Sequence, residues 1–145
     1  MADNTPRVSR LEGAALAFVD DPRRFGTLAT INPDGTPHLA VIWYAPLPDG
    51  SILINSKAGR RWPDNLLRDA RCSLAIEDGM HWVAIRGAVK VVERREQGVE
   101  DICALAVRYE GDDQAELEKR FAAFRAQERI SFHLVPRSIT VHLGE

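Results

Sequence analysis

The stretch from Phe25 to Ala45, FGTLATINPDGTPHLAVIWYA, reads as two β-strands folded about one tight turn. FGTLATI, from Phe25 to Ile31, is the first strand. Asn32-Pro33-Asp34-Gly35 is the turn, with a glycine free to take a positive φ. The second strand runs from Thr36 to about Ala45. Along it Leu39, Val41 and Trp43 share one face, and Ala40, Ile42 and Tyr44 share the other. Both faces are apolar. A barrel strand with water outside would alternate, so the outer face is expected to be covered by a helix or by a second subunit.

Working outward, Pro46 to Gly50 is the next turn, and Ser51 to Ser56 (SILINS) is a third strand. Cys72, Leu74 and Ile76 mark another, which stops at Glu77-Asp78-Gly79. His81 to Val92 alternates over a long run, with Val83, Ile85, Val89 and Val91 on one side and Trp82, Ala84, Arg86, Ala88 and Lys90 on the other. Gly87 within it marks a bulge or a close backbone approach. A last strand region, Ile130 to Leu143, is read as broken near Pro136. Short strands joined by tight turns predict a closed or nearly closed antiparallel barrel, mainly β with flanking helices.

The helices are read from their periodic apolar positions. Ser9 and Glu12 form a capping box ahead of Leu11, Ala14, Ala15, Phe18 and Val19, and Pro22 ends that helix. A short helix spans roughly Pro63 to Arg68. Two more follow the long strand, one carrying Val99, Ile102, Cys103, Ala106 and Val107, the other Leu117, Phe121 and Phe124.

The 145 residues suit one domain, spanning 1–145, of ordinary soluble composition. A formal net charge of -2 argues against general nucleic-acid binding. Cys72 and Cys103 have no CxxC spacing and read as small buried residues. The first ten residues, MADNTPRVSR, have no apolar core, so no signal peptide is read, and no run reaches the ~18 apolar residues of a membrane span. The expected location is cytoplasmic.

Charge is concentrated in Ser56 to Arg71, SKAGRRWPDNLLRDAR, where Lys57, Arg60, Arg61, Arg68 and Arg71 face only Asp64 and Asp69. The segment lies where a strand turns into a helix. Backbone N–H groups at a helix start attract anions, arginine adds bidentate recognition, and Gly59 allows close approach. The plain alternative is a solvated basic face. Neither GxGxxG nor GxxxxGK[ST] occurs, so the dinucleotide and P-loop modes are not supported.

The four histidines, His38, His81, His133 and His142, lack zinc-site spacing and read as strand residues, with His38 placed to line a pocket mouth. No Ser-His-Asp order or paired-carboxylate element stands out. Trp43, Trp62 and Trp82 suit either a cofactor wall or core and interface packing.

Three segments together resemble the pyridoxamine 5'-phosphate oxidase-like split β-barrel flavoproteins: FGTLATINPDGTPHLAVIWY, ILINSKAGRRWPDNLLRDARCSLAIED and WVAIRGAVKVVE. Within that family the pattern looks like the flavin/deazaflavin oxidoreductases that use coenzyme F420. The resemblance spans roughly Phe25 to Glu93. It rests on the "TLAT…DGxPH" hairpin, the basic turn, "NLxRDxR" and "xxRGxxxxxE" in combination.

The resemblance implies a split β-barrel homodimer with two cofactor sites in grooves between the subunits. Carried over by position, Ser56, Lys57, Arg60 and Arg61 would hold the cofactor phosphate. His38, Val41 and Trp43 would lie along the ring system, and Asn65 would stabilise the turn. The implied function is hydride transfer between F420, or alternatively FMN, and a small organic substrate. A non-catalytic flavin- or tetrapyrrole-binding module and a purely structural dimer are the other readings. The chain departs from the family in carrying Trp62 where many relatives carry lysine. Its second strand, HLAVIWYA, lacks the charges of the FMN-dependent vitamin B6 oxidases, and their Arg-rich tail is absent after Ile139-Thr140-Val141-His142.

Overall fold

The turn at Asn32 closes with two backbone bonds: the Asn32 N–H donates to Thr36 O and the Gly35 N–H to Asn32 O, both at 2.8 Å. Gly35 takes φ +87° there, as the turn requires. In this computed structural model, which describes residues 7–144, the turn joins two antiparallel strands. The first six residues, on which the reading of the leading segment partly rests, and Glu145 lie outside the described residues.

In chain order the elements are β1 (Arg7–Val8), α1 (Gly13–Val19), β2 (Gly26–Ile31), β3 (Pro37–Ile42), β4 (Ala45–Pro46), β5 (Ile52–Lys57), α2 (Arg61–Arg68), β6 (Arg71–Glu77), β7 (Trp82–Val91), α3 (Arg95–Glu110), α4 (Gln114–Arg125) and β8 (Arg129–His142). All strand pairs are antiparallel. The sheet order is β3-β2-β6-β7-β8-β5-β4, with β1 added beside β8.

That order explains the barrel. β3 and β4 are the two edges of the path, yet only Trp43 and Tyr44 separate them in the chain. Two extended residues span roughly 7 Å, so the sheet must curl until its edges meet. The single strand expected from Thr36 to Ala45 is therefore two, parted at the split. The inside is filled by Leu28, Ile52, Ile54, Leu74, Ile76, Ile85, Phe132 and Leu134, all close to fully buried. A second apolar cluster forms where Leu53 meets Ile102, Leu105 and Ala106 of α3 and Leu117 and Phe124 of α4.

Tyr44 sits at the split with no exposed surface, and its hydroxyl donates to Val19 O at 2.6 Å. Burial pushes its phenol well above the usual range, so it stays a neutral donor. Tyr44→Phe leaves the Val19 carbonyl with only the long 3.4 Å bond from Arg108 Nη2 and is expected to cost about 1–2 kcal/mol in chemical denaturation. No loss would show that water replaces the hydroxyl.

Other expectations are corrected. Glu12, not Ser9, is the N-cap of α1, and no side chain caps it, because Gly13 opens the helix at φ +56°. Val91 is exposed although in phase with Val83 and Ile85, since β6 ends its pairing at Ala88. Val107 is exposed too, and Leu105 takes its place inside. The last strand is not broken at Pro136: β8 pairs throughout and absorbs a bulge there. On the outer face of the second strand, expected to be covered by a helix or a second subunit, Tyr109 of α3 reaches Trp43. Phe25, Leu39 and Val41 are 55%, 65% and 72% exposed.

Candidate functional site

β5 alternates into the barrel with Ile52, Ile54 and Ser56, leaving Leu53, Asn55 and Lys57 toward α3 and α4. The chain then turns at Gly59, φ +91°, a conformation that favours glycine. Arg60 is the extended N-cap of α2, whose amino end has no side-chain cap. Pro63 stands at the third helical position rather than the first. Trp62 and Leu66 anchor the helix in the barrel, with the Trp62 ring 6.0 Å from that of Phe132. Trp62 is thus a core residue.

The five cations of this segment divide into two groups. Arg68 donates to Ile31 O and reaches Asn65 Oδ1, and Arg71 grips Asp69 through Nε at 3.0 Å and Nη2 at 2.7 Å. These two are structural. The Arg71 partnership lowers the Asp69 carboxyl to about 2. Lys57, Arg60 and Arg61 are exposed, and their side chains make no hydrogen bond or ion pair with any described residue. Arg61 lies near enough to Asp34 to help lower its pKa, although hydrogen bonds from Thr36 are the main cause.

Behind the turn lies a cation that the sequence reading missed. Arg129, opposite Lys57 at the start of β8, is only 6% exposed. Its Nε donates to Asn55 Oδ1 at 3.1 Å and its Nη1 to Gln127 Oε1 at 2.9 Å, while the guanidinium lies 5.2 Å from the Phe124 ring centre. It has no carboxylate partner among the described residues. Burial, followed by the charge of Arg60, lowers its pKa to about 10. Asn55 holds this corner together by also donating to Gly98 O and Ser131 Oγ, both at 2.8 Å. An arginine opening an apolar run gives little sequence signal, because strand ends are ordinarily wet.

The remaining candidates are dispersed. Ser56 is buried and spends its hydroxyl on Lys57 O at 2.8 Å. Asn65 is buried and donates to Thr30 Oγ1 and Asn32 Oδ1, both at 3.1 Å, tying α2 to the β2–β3 hairpin. His38 pairs with Thr30 across that hairpin and is half-buried. Val41 stands on the opposite face of β3, in a depression of about 480 Å3 shared with Phe25, Thr27 and Glu77. Trp43 lies past the strand end and stacks on Tyr109 at 5.1 Å and 8°. His38, Val41 and Trp43 therefore do not share one surface within a single chain.

Burial pushes the Cys72 thiol up to about 12, which leaves it unreactive. Among the described residues no group of three His, Cys, Asp or Glu side chains could hold a metal, and no helix is long and apolar enough to cross a membrane.

A family model described as Pyridoxamine 5'-phosphate oxidase matches residues 11–133 of this chain. The chain belongs to the pyridoxamine 5'-phosphate oxidase family. A conserved hypothetical protein of Mycobacterium tuberculosis is 32% identical, with a TM-score of 0.74, covering 93% of this chain and 87% of the other. An F420 reductase is similar at 18% identity and TM-score 0.70, covering 89% and 98%. The heme storage protein HutZ of Vibrio cholerae is similar at 17% and 0.65, covering 92% and 95%. The latter two likenesses show the fold alone. No curated protein matches the chain in sequence. The family fixes the architecture as a split barrel and includes oxidoreductases.

Proposed function

We propose that this single-domain chain binds a flavin-type cofactor as a homodimer and serves hydride transfer to or from a small organic molecule, with coenzyme F420 favoured over FMN. One observation carries the reading. Of the five cations around α2, the side chains of Lys57, Arg60 and Arg61 make no hydrogen bond or ion pair with a described residue, and Arg129 sits buried behind them without a carboxylate partner among the described residues. Like charges gathered so closely repel, and a phosphate would offset that repulsion while accepting several charge-assisted bonds. The residues present therefore fit the group. Lys57, Arg60 and Arg61 would hold the phosphate, with Arg129 adding field from behind. Ser56 and Asn65 keep the turn in place.

Bound there, the cofactor ring would supply the hydride chemistry, and no side chain is assigned as acid or base. The uncharged β3 favours the deazaflavin, and the F420 reductase fold neighbour agrees with that choice. Dimerisation would cover Phe25, Leu39 and Val41 and bring a second copy to the cofactor.

Equilibrium titration with F420 and FMN tests this. The Lys57→Ala/Arg60→Ala/Arg61→Ala variant should stay folded and lose cofactor affinity by about 100-fold or more. Unchanged affinity refutes the phosphate assignment, and tight FMN binding without F420 binding refutes the deazaflavin. Bound cofactor with no turnover on a broad acceptor panel would instead support a storage module, the role of the Vibrio cholerae neighbour.

A further inference from the structure

The outer face of the sheet carries a second basic site, separate from the turn before α2. Where β2 pairs with β6, the opposed outward side chains Ala29 and Ser73 are small. This leaves a groove of about 460 Å3. Ala29, Ile31 and Pro37 give it an apolar wall, and Arg71, Arg86 and Arg137 a basic one. No Asp or Glu is among its lining residues. Arg71 is neutralised by Asp69, but the side chains of Arg86 and Arg137 make no hydrogen bond or ion pair with any described residue.

The backbone aims both arginines at this groove. Arg86 of β7 stands opposite Ser73 of β6 and Ser138 of β8. The register then jumps, so that Gly87 faces Pro136 and Arg137 is left as the extra residue of a β-bulge. Bulges re-aim side chains and are frequent beside functional sites. This one depends on Gly87, since a Cβ there would lie 2.0 Å from Val135 O. Two guanidinium groups with no anionic partner among the described residues, beside an apolar wall, favour an anion. The volume suits a small ligand.

We infer that this groove binds a small organic anion, its carboxylate or phosphoryl group held by Arg86 and Arg137 and its apolar body laid against Ala29, Ile31 and Pro37. Ligand binding here stands independently of the cofactor. That the anion is also the hydride donor or acceptor rests on the function proposed above.

Calorimetric titration of the intact protein with benzoate and phenyl phosphate tests the site, with benzyl alcohol and inorganic phosphate as probes lacking the charge or the apolar body. Saturable binding of the first two is expected, at least about tenfold tighter than of the others. Arg86→Met/Arg137→Met should weaken it by about tenfold or more, and Arg86→Lys/Arg137→Lys should restore part of the loss. The Lys57→Ala/Arg60→Ala/Arg61→Ala variant should bind these probes as the wild type does. Equal affinity in the methionine variant, loss in the basic-turn variant instead, or no saturation by either anion at millimolar concentration would overturn the inference. Because the cofactor titration uses the basic-turn variant, the two assignments can fail separately.

Discussion

Gly87→Ala is expected to lower the stability of the fold by about 3 kcal/mol or more. The added Cβ would lie 2.0 Å from Val135 O, 3.0 Å from Val135 C and 3.2 Å from Pro136 Cα. All three are backbone atoms, so no rotamer change relieves the contact. Either β7 or β8 must shift along a pairing that runs from Trp82 to Val91. Urea denaturation gives the midpoint and slope, and a loss below about 1 kcal/mol would show that the bulge relaxes freely. The folded fraction should also bind benzoate more weakly, because moving the bulge moves Arg137.

Phe132→Ala is expected to cost about 3–5 kcal/mol. Phe132 has no exposed surface, lies inside β8 and faces the Trp62 ring. Its removal opens a cavity under the helix that follows the basic turn. Two readouts follow: a lower urea midpoint, and a red-shifted tryptophan emission as water reaches Trp62. Cofactor affinity should fall as well, since Lys57, Arg60 and Arg61 depend on α2 for their positions. A variant with wild-type stability would place the weight of the core elsewhere.

Both positions show what could be read from residues alone. Gly87 stood out as a lone glycine in an alternating run, and a close backbone approach is what it makes. Period-two alternation and Asn-Pro-Asp-Gly located the hairpin, because those signals are local. The cut between Ile42 and Ala45 was not legible: an unbroken apolar run looks the same whether it stays in one strand or crosses from one sheet edge to the other. Arg137 was hidden for a similar reason, since its direction is set by a register jump between strands distant in sequence. Lys57, Arg60 and Arg61 were legible as a charge cluster. That Arg68 and Arg71 are already spent on Ile31, Asn65 and Asp69 depends on tertiary contacts. Arg129 is the converse case, a charge whose burial only the packing of Phe124 and Asn55 reveals.

β8 has a further consequence, in time rather than space. It hydrogen-bonds to β1, β5 and β7, and it is the last strand in chain order. Until it emerges from the ribosome, the β3-β2-β6-β7 ribbon and the β5-β4 pair have no strand between them. Ile54 and Phe132, on adjacent strands, must find each other from opposite halves of the chain, after the entropy of closing that loop has been spent. Closure of this barrel therefore waits on β8 and is slow for its size. The nascent chain must wait with β5 unpaired on that side, the stage at which it is most open to a chaperone or to another copy of itself.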